Sequence, residues 1–212
     1  STMQIRSNDV ADGQPIPATC AFGKPGTDGE PCVLSDNRNP HLAWSGAPAG
    51  TRSFAIACID IDVPSRGDDV NQPGRVIPDA LPRVEFVHWL IANIPANVAD
   101  IAQGACSDGI VAHGKQAPNG PAGSAQGGND YTAWFAGDAD MGGEYRGYDG
   151  PCPPWNDERV HRYGFTVYAL DVEHLDLSSG FDLAQLREAL RGHVLGEATL
   201  TGTYTLNAAL RG

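Results

Sequence analysis

The fold class follows from residues 53–62, SFAIACIDID. Successive side chains of a β-strand point to opposite faces of its sheet. The even-numbered residues from Phe54 to Asp62 therefore share one face, and the odd-numbered residues from Ala55 to Ile61 share the other. Because both faces are largely apolar, the segment predicts an inner strand of a β-sandwich, covered on both sides.

Three further segments alternate in the same way and predict strands. They are residues 86–94, with Phe86, His88, Leu90 and Ala92 opposite Val87, Trp89 and Ile91; residues 161–172, with His161, Tyr163, Phe165, Val167 and Ala169 on one face; and residues 198–206, with Leu200 and Tyr204 in phase. Long loops rich in glycine and proline, at 65–85 and 111–156, separate them. Since no repeat or linker is visible, residues 1–212 are predicted to form a single all-β domain, an antiparallel, Greek-key-like β-sandwich.

One short helix is predicted in the C-terminal region. Asp182 and Gln185 have the spacing of a capping box, in which each side chain bonds a free backbone N–H of the first turn. An apolar stripe follows, formed by Leu183, Leu186, Leu190 and Val194. The stripe predicts a helix that packs onto the sandwich. A second helical turn is predicted over 99–102.

The charge balance excludes two classes of partner. The 212 residues carry 26 acidic and 14 basic side chains, a net charge of −12. Nucleic acids and anionic membranes are bound through clustered lysine and arginine, so neither is an expected partner. No apolar run reaches the roughly 18 residues of a transmembrane helix. Ser1 and Thr2, before Met3, look like a cloning remnant, and a start at Met3 predicts a cytoplasmic protein, or a periplasmic one if a signal peptide has been removed.

The cysteines do not form a recognisable metal or redox motif. There are five, at positions 20, 32, 58, 106 and 152, and no two are spaced as C-x-x-C. This pattern excludes zinc-finger and thioredoxin-type sites. Two interpretations are left: buried small apolar side chains, or one surface disulfide such as Cys20–Cys32.

Polar side chains share the apolar faces of the predicted strands. Asp60 and Asp62 end one strand, His88 interrupts another, and His161 and Tyr163 begin a third on one face. A buried carboxylate or imidazole without a partner is costly. We therefore expect these groups to meet each other or a ligand, although either histidine taken alone is also compatible with a satisfied core residue.

Four blocks of sequence resemble the successive signatures of the phosphatidylethanolamine-binding protein family. They are DIDVP at 60–64, HWLIANIP at 88–95, GPCPP at 150–154, and HRY at 161–163 leading into FTVY at 165–168. Supporting blocks at 39–44, 50–55 and 126–130 resemble the bacterial branch, which is named for its likeness to Raf kinase inhibitor protein. The blocks keep the family order and cover nearly the whole chain.

The resemblance implies a β-sandwich whose small cavity binds phosphate and phosphoryl headgroups, with no cofactor, no metal and no established reaction. Carried over to this chain, the ligand-binding residues are Asp60, His88, Pro153, Pro154, His161 and Tyr163, supported by Asp62, Trp89, Gly150 and Arg162, with Trp44 packed nearby. Imidazole and phenol groups offer donors to phosphate oxygens, and the backbone N–H groups around Gly150 offer more. Asp60 can hold a histidine protonated or receive an ethanolamine ammonium.

The chain departs from the family pattern at three places. Ile61 replaces the proline that usually follows the first aspartate. The segments 65–85 and 131–146 are longer than is usual for bacterial members of the family that the chain resembles, and we expect both to approach the cavity mouth. The segment 155–159 brings extra charge to the same rim.

These observations lead to a principal hypothesis and two alternatives. The principal hypothesis is non-enzymatic binding of a small anionic or phosphorylated ligand, with regulation of a partner kinase or protease as a further role that the resemblance implies. The alternatives are a metal-dependent or acid–base hydrolase that uses the same histidines and aspartates, and a protein-interaction module that presents Trp134, Phe135 and Trp155. A homodimer is left open.

The charges also predict the character of binding. Arg162 is the one permanent cation within the motifs, and at i+1 from His161 it points to the other face of its strand. A protein of charge −12 repels anions at long range. We therefore expect weak, salt-tolerant binding of one small or zwitterionic headgroup, tightening from pH 8 to pH 6 if both histidines hold the phosphate.

Overall fold

The computed structural model describes residues 2–211, so the interpretation of Ser1 lies outside the described residues. The strands are β1 (Gln4–Arg6), β2 (Gly23–Lys24), β3 (Val33–Leu34), β4 (Leu42–Ser45), β5 (Ser53–Pro64), β6 (Arg83–Pro95), β7 (Asp100–Ile101), β8 (Ala125–Gln126), β9 (His161–Leu170) and β10 (Val194–Tyr204). The helices are α1 (Tyr131–Trp134) and α2 (Leu183–Leu190), with 3₁₀ turns at Ala18–Cys20 and Ala208–Leu210.

The strands form two main sheets and a small ribbon. The large sheet has the order β10-β9-β5-β6-β8, the second sheet has the order β1-β4-β7, and β2 pairs with β3. Each of these ladders is antiparallel. Within the large sheet, β9-β5-β6-β8 has the spatial order 4-1-2-3 of a Greek key. The predicted antiparallel, Greek-key-like sandwich is confirmed.

The inner position of β5 explains its two apolar faces. It lies between β9 and β6 in the large sheet. Phe54 and Ile56 pack with Trp44 in the core between the two sheets, whereas Ala55 and Ala57 pack with Leu186 of α2 on the outer face. Burial of each large apolar side chain contributes about 1.5–3 kcal/mol, so a strand with this pattern is stable only when it is covered on both sides.

The alternation predicted for β6 is wrong around His88. Leu90 packs on the outer face, with α2, while Trp89 packs in the core between the sheets. The His88 ring nevertheless contacts Tyr163 of that same inter-sheet core, at 5.2 Å between centroids. The β5–β6 register shifts between Trp89 and Val87, where an irregularity places an extra residue in β6. This irregularity separates His88 from the face that carries Leu90 and turns its ring toward Tyr163.

The predicted helix is confirmed as α2, with its capping box intact. The Asp182 side chain accepts from the backbone N–H of Gln185, and the Gln185 side chain accepts from the backbone N–H of Asp182. The stripe ends earlier than predicted, because Gly192 adopts a φ of +79° after the helix and Val194 already begins β10. The predicted helical turn at 99–102 is also wrong: these residues contain β7, which pairs with β4.

The cysteines are all free within residues 2–211. Cys20 is buried, whereas the Sγ of Cys32 contacts the Sγ of Cys152. The suggested Cys20–Cys32 disulfide is therefore wrong. Between residues 2 and 211, no helix is long and apolar enough to cross a membrane.

Candidate functional site

His161 lies between two carboxylates at one end of the large sheet. Its Nδ1 is 2.6 Å from Asp60 Oδ2, and its Nε2 is 2.7 Å from Asp157 Oδ2. The register brings Asp60 of β5 opposite Tyr163 of β9, two residues beyond His161. All three charged side chains are almost fully buried. Both ring nitrogens of His161 are therefore occupied by protein partners.

The two carboxylates hold His161 in its protonated form. Burial lowers the pKa of His161, but the hydrogen bonds to Asp157 and Asp60 outweigh it and raise the pKa to about 9. Arg83 completes the chain of charges, because its guanidinium contacts both Asp157 oxygens, at 2.6 and 3.1 Å. Burial raises the pKa of Asp157, yet the bonds from His161 and Arg83 lower it overall. The result is a buried, alternating network of charges.

Asp62 is held by arginines at the edge of this network. Its carboxylate accepts from the backbone N–H and the guanidinium of Arg162, at 2.8 and 3.0 Å, and from Arg159 at 3.3 Å. Burial raises the pKa of Asp62, but the bonds from Arg162 lower it overall. The Arg162 side chain is 54% exposed. Asp62 and Arg162 thus satisfy each other and brace the start of β9.

His88 is oriented by the loop that carries Gly150. Its Nδ1 is 2.7 Å from the carbonyl oxygen of Asp149, and because a carbonyl only accepts, we assign the proton to Nδ1. Burial lowers the pKa of His88 despite the opposing effect of Asp60. The ring is therefore neutral at pH 7, with Nε2 as an acceptor that forms no hydrogen bond with residues 2–211.

The Asp149 side chain holds the loop that carries Gly150 in place. Its buried carboxylate accepts from Asn37 and Asn129, each at 2.8 Å, and from Lys115 at 3.0 Å. The same Asn37 accepts from the backbone N–H of Gly150 at 2.7 Å. The sequence predicts that this N–H donates to a ligand. That prediction is wrong for Gly150, because its N–H already donates to Asn37. Gly150 instead allows close packing, because a Cβ there would lie 2.2 Å from the Cys20 carbonyl oxygen.

Tyr163 carries an unpartnered polar atom next to these groups. The residue is fully buried, and its hydroxyl has no hydrogen-bond partner among residues 2–211. Its ring lies 5.2 Å from that of His88 and 6.4 Å from that of His161. Burial raises the pKa of Tyr163 well above its ordinary value, and the nearby Asp60 carboxylate raises it further, so the hydroxyl is protonated and can donate. The Asp60 carboxylate lies close to this hydroxyl without meeting the geometry of a hydrogen bond. We call Asp60, His88, Asp157, His161 and Tyr163 the polar cluster.

The other residues predicted to form or support the site pack within the protein or form hydrogen bonds with it. Pro153 is buried, and the carbonyl of the half-buried Pro154 accepts from the backbone N–H of Asp157 at 3.2 Å. Trp89 donates to Gln126 in the core, and Trp44 packs between the sheets. Two surface cavities, of about 340 and 690 Å³, lie away from the polar cluster.

The aromatic residues of the interaction alternative differ in exposure. Trp134 is 53% exposed. Phe135 stacks on Tyr131, with 5.8 Å between ring centroids, and Trp155 packs against the main core. Only Trp134 among the three therefore presents a largely free surface.

The hydrolase alternative included a metal site. Across positions 2–211, no group of three or more His, Cys, Asp and Glu side chains has an arrangement that can hold a metal ion. The acid–base version needs a free imidazole nitrogen, which His88 offers and His161 does not.

The sequence did not identify Asp157, Arg83 and Asp149 as site residues. Asp157 belongs to the segment 155–159, whose charge was recognised in the sequence. Its contact with His161 was not predicted, because nothing in the sequence indicates it. Asp149 directly precedes the GPCPP block. Arg83 follows the long 65–82 loop, and no sequence signal connects it with Asp157.

A family model, curated proteins and a solved structure each match this chain over most of its length. The family model described as phosphatidylethanolamine-binding protein matches residues 6–205. The UPF0098 protein YbhB of Escherichia coli is 32% identical over 203 residues, covering 96% of this chain and 100% of that protein. A UPF0098 protein of Methanothermobacter thermautotrophicus is 37% identical over 169 residues, covering 80% and 83%. The crystal structure of E. coli YbcL, described as a new member of the mammalian PEBP family, superposes with a TM-score of 0.69 at 27% identity, covering 97% and 99%.

Proposed function

Because the chain belongs to the phosphatidylethanolamine-binding protein family, we propose that its polar cluster binds one small phosphorylated ligand, such as phosphate or a phosphoethanolamine headgroup. The observation that carries this proposal is the buried Tyr163 hydroxyl without a partner. A buried hydroxyl without a hydrogen bond costs about 1–3 kcal/mol. A ligand oxygen that accepts from Tyr163 recovers this cost.

The neighbours of Tyr163 suit the same ligand. His88 offers an uncommitted Nε2, and Asp60 has remaining acceptor capacity on its carboxylate oxygens. A phosphoryl oxygen would accept from Tyr163, and the imidazole would take up a proton and donate from Nε2. An ethanolamine ammonium would be received by Asp60. The cluster thus matches a zwitterionic headgroup with donors and acceptors.

His161 has a positioning role in this proposal. Since its two nitrogens are engaged by Asp60 and Asp157, it would not donate to the ligand. It holds the Asp60 carboxylate in place and balances its charge. The engagement of His161 also favours binding without catalysis, because it leaves His88 as the one imidazole of the polar cluster with a free ring nitrogen. Regulation of a partner kinase or protease stays a prediction from the resemblance.

The Tyr163→Phe variant tests the proposal directly. It removes the unpartnered hydroxyl, so we expect binding of phosphorylethanolamine to weaken about 5- to 30-fold, the equivalent of about 1–2 kcal/mol. The free energy of unfolding of the ligand-free protein is expected to stay equal or to rise. Isothermal titration calorimetry and urea unfolding measure the two quantities.

Tyr148→Phe is the matched control. The Tyr148 hydroxyl donates to the Cys20 carbonyl at 2.6 Å in the core, so its loss is expected to lower stability by about 1–2 kcal/mol and to leave affinity unchanged. Equal affinity of wild type and Tyr163→Phe would show that the hydroxyl does not contact the ligand.

His88 predicts the pH dependence of binding. Its lowered pKa makes the ring neutral in the free protein, and a bound dianion raises that pKa by favouring the imidazolium. Binding then takes up a proton, so affinity is expected to increase as the pH falls from 8 to 7, by at most about tenfold per pH unit. His161, with a pKa of about 9, keeps its proton in this window and does not contribute.

Calorimetry of phosphorylethanolamine at pH 8, 7.5 and 7 measures this slope, because the second pKa of a phosphate monoester, about 6, lies below this window. The His88→Gln variant is expected to give weaker binding with a flat pH profile. A flat profile in wild type, or a slope that persists in His88→Gln, contradicts proton uptake by His88.

A further inference from the structure

Two cysteines contact each other at the loop that orients His88. The Sγ atoms of Cys32 and Cys152 are 3.9 Å apart, although the residues are 120 positions apart in the chain. Both residues are partly exposed. Cys20, Cys58 and Cys106 are buried by contrast, and burial raises the pKa of each of these thiols. Among residues 2–211, Cys32 and Cys152 are therefore the two partly exposed cysteines, and their sulfurs are in contact.

The backbone holds this pair together. Cys32 directly precedes β3, which pairs with β2. The backbone N–H groups of Phe22 and Gly23 both donate to the Pro151 carbonyl, at 2.9 and 3.1 Å, and so fasten the ribbon to the loop that contains Cys152. A Cβ on Gly23 would lie 2.6 Å from one sulfur and 2.8 Å from the other. Both sulfurs therefore lie against the bare backbone of Gly23.

Cys32 has the properties of an attacking thiol. The hydrogen bond with Cys152 lowers the pKa of Cys32 to about 7, against the opposing effect of burial, and the same hydrogen bond together with burial raises the pKa of Cys152. A thiol with a pKa near the ambient pH reacts fastest in thiol–disulfide exchange, because it combines a large thiolate fraction with high nucleophilicity. The second sulfur lies in contact with it, as expected of a resolving cysteine.

We propose that Cys32 and Cys152 are a reversible modification site, at which a low-molecular-weight disulfide oxidises the two thiols to an intramolecular disulfide. The Cys32 thiolate attacks the small disulfide, forming a mixed disulfide and releasing one small thiolate. Cys152 then loses its proton, attacks Cys32 Sγ and displaces the second small thiolate. The two cysteines lose two electrons in total, the small disulfide gains them, and the two thiol protons end on the two small thiols.

The bond would tie the loop at 150–154 to the β2–β3 ribbon. The loop carries Pro153 and follows Asp149, whose carbonyl orients His88. A bond of about 2 Å requires the two sulfurs to approach by side-chain rotation and a small movement of the loop. A bond between residues 120 positions apart closes a long loop of the unfolded chain and constrains it strongly. The oxidised protein is therefore expected to melt at a temperature roughly 10 °C higher than the reduced protein.

Oxidised glutathione is the probe. After incubation at pH 7.5, thiol titration in denaturant is expected to fall from five free thiols to three, with a Cys32–Cys152 cross-link in non-reducing peptide mass spectrometry. The melting temperature is expected to rise with oxidation and to return after dithiothreitol. These readouts do not depend on ligand binding, so they are independent of the proposed function.

Three variants make the test specific. Cys32→Ser and Cys152→Ser are expected to show no rise in melting temperature with oxidised glutathione. Cys106→Ser, which removes a buried thiol, is expected to retain the full rise. The proposal is overturned if five free thiols persist, if the product is only a glutathione adduct, or if the rise survives in Cys32→Ser.

Discussion

Replacing His161 with alanine is expected to lower the free energy of unfolding by about 3–5 kcal/mol at pH 7, because it leaves two buried carboxylates without their shared cation. Asp60 and Asp157 contact the His161 ring at 2.6 and 2.7 Å, and each of the three side chains is at most 3% exposed. Urea unfolding followed by circular dichroism measures the change. Ligand binding is expected to be lost as well, since Asp60 would no longer be held in place.

The matched control is the histidine–aspartate pair at the surface. His193 Nδ1 contacts Asp171 Oδ1 at 2.9 Å, but both side chains are 42% exposed. Solvent screens such a pair, so His193→Ala is expected to change stability by less than about 0.5 kcal/mol. Similar losses in the two variants would contradict the assignment of a buried charge network.

The same network predicts how wild-type stability depends on pH. The pKa of His161 is about 9 in the folded protein, against about 6.5 in an unfolded chain. The folded state therefore binds more protons than the unfolded state between these values, and stability falls as the pH rises. The loss from pH 6.5 to pH 9.5 is expected to approach about 3 kcal/mol, and His161→Gln should not show it.

Replacing Asp149 with alanine is expected to cost about 3–5 kcal/mol of unfolding free energy, the second large effect. The carboxylate is 2% exposed and accepts from Asn37, Asn129 and Lys115. Alanine would leave these buried donors without an acceptor and Lys115 without its counter-charge. Because the Asp149 carbonyl orients His88, we also expect weaker ligand binding.

Asp108→Ala is the control for Asp149. Asp108 pairs with Arg38 at 2.7 Å, with side chains 62% and 44% exposed, so a change below about 0.5 kcal/mol is expected. Differential scanning calorimetry of both variants checks the contrast. An Asp149→Ala protein as stable as wild type would show that water replaces the carboxylate and that the loop does not depend on it.

Strand alternation was sufficient to predict most of the large sheet. β9 follows the predicted faces, and so does β5 as far as Asp60, with Phe54, Ile56 and Phe165 in the core between the sheets. Beyond Asp60 the register of β5 with β6 is irregular, and Ile61, predicted on a covered face, is 45% exposed. The capping box at Asp182 was equally local and correct. These features depend on residues a few positions apart, where side-chain direction follows from backbone geometry alone.

The errors in the fold arise where pairing with a distant strand overrides the local pattern. The irregularity at His88 depends on the register with β5, and the pairing of Asp100–Ile101 with β4 determines that this segment is extended. Val194 lies in β10 because antiparallel pairing with β9 already begins there. None of these pairings leaves a signal within a single segment.

By itself, the sequence determined the β-sandwich class and the family, because apolar periodicity and ordered motif blocks are read along the chain. It also indicated that Asp60, His88, His161 and Tyr163 belong to one site. Only the tertiary structure decided their roles: His161 saturated by two carboxylates, His88 neutral on a backbone carbonyl, Tyr163 without a partner, and Cys32 against Cys152. Protonation and hydrogen bonding depend on burial and on distances between groups as far as 120 positions apart, which alternation along a strand does not specify.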